Sequence, residues 1–173
     1  MGEEVLTLGD LWPTKIRAVL IGINPAPVSV AAGHYYQGTL GRRIFARVGE
    51  AGVLRPAVSG QYDDDRAVVA GIGFTDIVKR PSPRADDVRP EEYRHGRFVL
   101  GEKLERVQVP LVVFTFKAAA VAALGKFSGG GFLPRVRLGG AEVFVLPGPM
   151  EARDSASRKI ADLRSWWAQV VMV

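Results

Sequence analysis

The chain has 173 residues, 47% of them hydrophobic, a formal net charge of +5 and no cysteine. That length suits one domain with a sizeable core, and the missing cysteines exclude a disulfide framework, a thiolate zinc site and a thiol nucleophile. With only His34 and His95 present, a His-rich metal site is not expected either; the basic balance agrees with a polyanion partner and equally with an ordinary basic domain.

No basic start is followed by a long apolar run, so no signal peptide is expected. The longest apolar stretch, 109–124, is broken by Lys117, which speaks against a membrane span and for a soluble, cytoplasmic protein. In chain order, 17-RAVLIGI-23 is the first expected strand, because it is short, rich in β-formers and ends at a turn signal. Residues 40–52 form a plausible helix, and the polar segment 55–66 reads as a surface loop. A second strand lies within 67–78 and takes up only part of it. Pro-rich 80–90 is expected to be extended and irregular. A helix over 91–107 follows, with Tyr93, Leu100, Leu104 and Val107 on one face and Pro90 in its first turn. The strand 111-LVVFTF-116, an Ala-rich helix over 117–124 and a glycine-rich flexible connection at 125–132 come next. The last pair is the strand 142-EVFVLP-147 and a C-terminal helix carrying Ile160, Leu163, Trp167 and Val170, capped by Asp154 or Ser155. Trp166 and Trp167 are expected at the core or its edge.

Strands that are continuous apolar runs and alternate with helices predict an α/β fold: a three-layer α/β/α sandwich around a short, mainly parallel sheet. Ligands in such sheets bind beyond the carboxyl ends of the strands. Those ends carry 22-GINPAP-27, 71-GIGFTDIVKRPSP-83, Phe116-Lys117 and 146-LPGPM-150. Asn24 cannot be a general base, but its amide can fix the direction of a water, and Pro25 restricts its backbone. Locally, an Asx turn explains it as well. In 33-GHYYQG-38, one of Tyr35 and Tyr36 is expected to pack inward and the other to offer a stacking face. In 147-PGPMEARDSASRK-159, a helix start with Arg153, Arg158 and Lys159 suits phosphate, or is simply a solvated turn.

Four motifs in order, 22-GINP-25, 71-GIGFTDIVKRPSPRADDV-88, 103-KLERVQVPLVVFTFKAAA-120 and 142-EVFVLPGPM-150, resemble the mismatch-specific uracil/thymine-DNA glycosylase family of the uracil-DNA glycosylase superfamily. The resemblance implies a single glycosylase-like domain over 1–173, which flips a nucleotide out of double-stranded DNA and hydrolyses the N-glycosidic bond of uracil or a related mismatched or damaged base. It implies a monomer acting without metal or other cofactor and without a membrane. Asn24 would position water; Gly22, Ile23, Ala26 and Tyr36 would form the base pocket, with His34 and Tyr35 at its mouth. Ser29, Gly148, Met150, Ala152 and Arg153 would meet DNA. The chain departs from the family pattern in three places. Ala26-Pro27 stands where a second glycine is usual, and 42-RRIF-45 alters an Arg-Phe-Trp element. The loop 148-GPMEAR-153 replaces Asn-Pro-Ser-Gly-Leu-Ser, so Gly148 takes the place of asparagine and Ala152 that of the intercalating leucine. The same fold serving as a damage- or mismatch-binding module with little catalysis is the alternative this loop leaves open.

Overall fold

A computed structural model describes residues 4–54, 59–148 and 151–171. Five strands form one sheet: β1 Ala18–Gly22, β2 Ile72–Asp76, β3 Leu111–Phe114, β4 Gly131–Leu138 and β5 Ala141–Val145. Their order is β2-β1-β3-β5-β4, with every pairing parallel except that of β4 with β5. Among the described residues six α-helices accompany them: α1 Pro27–Ala32, α2 Gly38–Glu50, α3 Asp63–Val69, α4 Pro90–Val107, α5 Lys117–Leu124 and α6 Arg153–Val171.

The period-2 geometry of a strand sends alternate side chains to opposite faces. Here both faces are covered. Ala18 and Leu20 of β1, Leu111 and Val113 of β3 and Phe144 of β5 face a core closed by Ile44, Phe45 and Val48 of α2 and Ile160, Leu163 and Trp167 of α6. Val19, Ile21, Val112, Phe114, Val143 and Val145 face the other core, closed by Leu100 and Leu104 of α4 and by alanines 119, 120 and 123 of α5. This is the three-layer α/β/α sandwich that the apolar runs predict. No helix among the described residues is long and apolar enough to cross a membrane.

Several boundaries differ from the sequence reading. The predicted strand within 67–78 is confined to Ile72–Asp76, because Asp63–Val69 forms a helix with three acidic residues in its first turn. The segment 55–66 therefore ends in structure, with Asp64 buried; residues 55–58 lie outside the described ones. The connection at 125–132 gives way at Gly131 to β4, whose Pro134, Arg135 and Arg137 hide the strand signal and suit its place at the sheet edge. Helix α1, with Pro27 at its first position, also escapes the periodicity reading. Asp154 and Ser155 lie inside the first turn of α6 instead of capping it; the Ser155 hydroxyl donates to Glu151. Trp167 is buried, and Trp166 at the core edge donates its Nε1–H to Glu142 at 2.9 Å.

Strand order reverses between β1 and β3, which is where open α/β sheets leave a crevice. The exits of β1, β2 and β3 therefore converge on one edge of the sheet. Phe74, fully buried on β2, packs at this edge against Tyr35, Tyr36 and Phe45. Phe74→Ala is expected to lower unfolding free energy by about 3–5 kcal/mol. Phe98→Ala, at a position 67% exposed, should change it by about 0.5 kcal/mol or less. Urea titration of both variants measures the contrast.

Candidate active site

The loop leaving β1 runs Ile23-Asn24-Pro25-Ala26, and backbone bonds stitch it to the loop leaving β2. Val78 N–H donates to Ile23 O at 2.8 Å and Ser82 N–H to Pro25 O at 3.2 Å. Between the two loops and the 33–37 turn lies a cavity of about 320 Å³, lined by Gly22, Ile23, Asn24, Ala26, Ser29, Tyr36, Asp76 and Ser82 among others. The second loop is rigid for an electrostatic reason. Buried Glu92 accepts two bonds from Arg80, at 2.6 and 2.8 Å, and one from the Arg89 amide at 2.9 Å. These charge-assisted bonds hold its carboxyl down to about pKa 2, Arg80 contributing most. Pro-rich 80–90 is irregular except for a 3₁₀ turn at Ala85–Asp87 and the start of α4 at Pro90, and it is anchored through Glu92.

That anchoring fixes Asn24. Its Nδ2 donates to Ser82 Oγ at 2.7 Å and to the Arg80 carbonyl at 3.2 Å. The buried Ser82 hydroxyl spends its own proton on the Arg84 carbonyl at 2.7 Å, so toward Asn24 it can only accept. A carbonyl and an accepting hydroxyl define which end of the amide is nitrogen. Oδ1, bonded to no donor among the described residues, is left as a free acceptor on a side chain lining the cavity. The long bond from Nδ2 to Pro25 O, at 3.5 Å, is a trace of a local turn role.

The floor holds a residue inside the motif 71–88 to which the sequence alone assigns no role. Asp76, the last residue of β2, is 3% exposed, and neither carboxylate oxygen has a hydrogen-bond partner among the described residues. Burial pushes its pKa up to about 7, with Asp10 adding to the rise and Lys79 and Lys103 opposing it. A Cβ on Gly22 would sit 2.3 Å from Asp76 Oδ1 and 3.2 Å from Tyr36 Oη, so the close approach of β1 requires glycine. The one sequence signal for Asp76 is an acid ending the otherwise apolar strand 72-IGFTD-76.

Of the tyrosine pair, Tyr35 packs inward and Tyr36 is partly buried at the cavity. Tyr35 is 2% exposed, with its hydroxyl between Gly9 O and Lys79 Nζ, both at 3.1 Å. Tyr36 walls the cavity, edge-on to Phe45, with its hydroxyl buried and without a hydrogen-bond partner in normal geometry among the described residues. Desolvation and the Asp76 carboxylate raise its proton affinity, so it stays a neutral phenol. Its backbone is left-handed at φ 53°, which costs a non-glycine residue about 1 kcal/mol or more. His34 is not at the mouth: it stacks on Tyr62 at 3.5 Å and bonds Asp64 through Nδ1 at 3.0 Å. Ligand atoms of His34, Asp64 and Asp65 lie within 4.8 Å of one another. The Asp64 oxygens already accept from His34 and from the Tyr35 and Asp65 amides, so this trio is built as a hydrogen-bonded clamp more than as a metal site.

Of the residues assigned to DNA contact, Ser29 is buried, and its Oγ accepts from Gln37 N–H at 3.0 Å in the cavity wall. Gly148 is exposed and lines a neighbouring cavity of about 520 Å³ with Arg43 and Arg47; the two cavities share Leu40, Ile44 and Phe116. Ala152 and Arg153 are exposed at the start of α6, and Met150 lies outside the described residues. Glu151 ties this loop down by accepting from Ser155 Oγ at 2.7 Å and from Lys159 Nζ.

A profile of the family described as the uracil DNA glycosylase superfamily matches residues 9–170. A G/U mismatch-specific uracil DNA glycosylase of Schizosaccharomyces pombe is 27% identical over 137 residues, covering 74% of this chain and 42% of the relative. The chain thus spans less than half the length of that curated protein.

The raised Asp76 pKa makes a stability prediction with a definite sign. A folded value of about 7 against an ordinary 3.8 means the native state holds this proton more tightly than the unfolded one. Its stabilising contribution is complete below pH 4 and is lost as pH rises through 7. Asp76→Asn should therefore match wild type near pH 4 and exceed it at pH 8 by up to about 4 kcal/mol. Denaturant melts across that range measure the difference.

Proposed function

The chain belongs to the uracil DNA glycosylase superfamily, and on that premise we propose that it is a monofunctional DNA glycosylase. It hydrolyses the N-glycosidic bond of uracil or a related mismatched or damaged base in double-stranded DNA. The observation that carries this reading is the pairing of Asn24, its Oδ1 left free by bonds at Nδ2, with the unpartnered Asp76 carboxylate in one cavity.

In the proposed reaction the target nucleotide leaves the duplex and its base enters the 320 Å³ cavity. The Tyr36 ring stacks on the base, and the backbone at Ile23 and Ala26 brings N–H donors to the same wall. The bond from the anomeric carbon to the base nitrogen breaks first, and the base takes the electron pair. The sugar is left with positive charge, which a nearby carboxylate stabilises. Asn24 Oδ1 accepts a hydrogen bond from water and aims its oxygen at the anomeric carbon. As the new C–O bond forms, Asp76 takes the water proton and later yields it to the departed base. Neutral Asn24 supplies direction and Asp76 the basicity it lacks. Ser82 acts through Asn24 by fixing its amide. The basic residues Arg43 and Arg47 beside the second cavity would meet phosphates, which makes binding weaken with salt.

A duplex carrying one G·U mismatch, followed by alkaline strand cleavage, tests the activity. Wild-type protein is expected to release uracil. Asn24→Ala should cut the single-turnover rate by about 100-fold or more, and Ser82→Ala by about 10-fold. An intact strand after prolonged incubation with wild type would overturn the proposal; salt-sensitive binding without release would instead favour a damage-binding module. The wild-type rate should rise to a plateau above pH 7, and Asp76→Asn should flatten that rise and lower the plateau by about 100-fold. A profile unchanged by Asp76→Asn removes the carboxylate from the mechanism.

A further inference from the structure

Among the described residues, Tyr36 and Gln108 are the non-glycine positions with positive φ. Gln108 is the C-cap of α4, where a left-handed residue ends a helix. Tyr36 ends no helix and sits in the cavity wall. Strain of this kind persists only where the surroundings over-determine it, so the groups that hold the turn are themselves informative.

The turn is held from three sides. Asp64, 1% exposed on α3, accepts from Tyr35 N–H at 2.8 Å through Oδ2 and from His34 Nδ1 at 3.0 Å through Oδ1. Ser29 accepts from Gln37 N–H at 3.0 Å, and the Gln37 side chain donates to Tyr35 O at 3.0 Å. From below, α2 comes so close that a Cβ on Gly41 would lie 1.5 Å from the Tyr36 carbonyl oxygen. The backbone groups before and after Tyr36 are thus fixed by partners 29 residues downstream and eight residues upstream. Asp64 is the one of these whose carboxyl group comes from a separate helix, and it does not itself line the base cavity.

We propose that Asp64 is a positioning residue: by binding the Tyr35 amide and His34 together, it locks the 33–37 turn with Tyr36 left-handed and its ring set to receive a flipped base. The inference rests on the reading of Tyr36 as the stacking ring. Its logic is preorganisation, in which a surface whose orientation is fixed beforehand loses no freedom when the base arrives. Asparagine at 64 keeps an oxygen for the Tyr35 amide and an N–H₂ for the other imidazole tautomer, so it preserves the clamp where alanine abolishes it.

The test compares Asp64→Ala and Asp64→Asn, each with Tyr36 and with Tyr36→Ala, on a G·U duplex under single-turnover conditions. A duplex containing 2′-fluoro-deoxyuridine, which resists cleavage, gives the affinity. Asp64→Ala is expected to weaken binding and slow release by about 5- to 100-fold, the range that one stacked base commands; Asp64→Asn should restore most of it. With Tyr36→Ala already present, Asp64→Ala should add little further loss, because Asp64 acts through that ring. Equal losses in both backgrounds, or wild-type behaviour of Asp64→Ala, would overturn the proposal. If wild type releases no base, the glycosylase reading fails by itself, and affinity for the uncleavable duplex decides the clamp by the same comparison. If wild type does not bind that duplex either, the clamp falls with it.

Discussion

A carboxylate that is buried and finds no hydrogen-bond donor among the described residues is the constraint around which this molecule is arranged. Asp76 closes the C-terminal end of β2, and its neighbours are shaped by it. Gly22 has no room for a side chain because Asp76 Oδ1 occupies that space. Tyr36 presents a hydroxyl that stays protonated beside the acid. Asp10, bonded to Lys103 at 2.6 Å and to Lys79 and accepting from Thr75 at 2.7 Å, gathers two ammonium groups whose fields moderate the charge. Groups left unpaired in a low-dielectric interior oppose folding, and chains keep them where the site needs them. The rest of the fold offsets that cost with two apolar cores on either side of a doubly covered sheet.

The two exit loops contribute differently. The first, after β1, carries an amide whose orientation is decided by the second. The second, after β2, is rigid because Arg80 and Arg89 converge on buried Glu92. Charge is thus spent away from the cavity to orient neutral groups inside it. This division keeps the walls around Asn24 largely apolar or amide-like, so Asp76 is the ionisable acid or base lining the cavity along with Arg84 and the two tyrosines. The loop after β5 differs in kind. Exposed Gly148 and Ala152 offer no bulky apolar group, and among the described residues the loop's side-chain anchor is Glu151.

Much of this was legible in the sequence, for reasons that also explain what was not. Strands β1, β3 and β5 are buried on both faces, so each is a continuous apolar run with little ambiguity. Asn24 stood out because Gly and Pro flank it just past such a run. Strand β4 was hidden because an edge strand tolerates Pro134 and two arginines. Asp64 was hidden in 62-YDDDR-66, where three acids in a row read as solvated and only tertiary structure shows the middle region reaching inward. Asp76 was hidden for the opposite reason: an acid closing a strand looks like the start of a turn, and nothing local reveals that two lysines and an aspartate come from residues 10, 79 and 103 to surround it.

The cavity wall collects residues from 8 to 118, drawn together by parallel pairings of β1 with β2 and of β1 with β3. Parallel neighbours cannot be joined by a hairpin, so each pairing closes a long chain segment before it is rewarded. The site consequently has no local precursor. A nascent or partly folded chain holds Asn24 and Tyr36 without the floor that Asp76 makes or the Ser82 hydroxyl that orients the amide, and contact order of this kind slows folding. The cavity is complete only once β1 has paired with both β2 and β3.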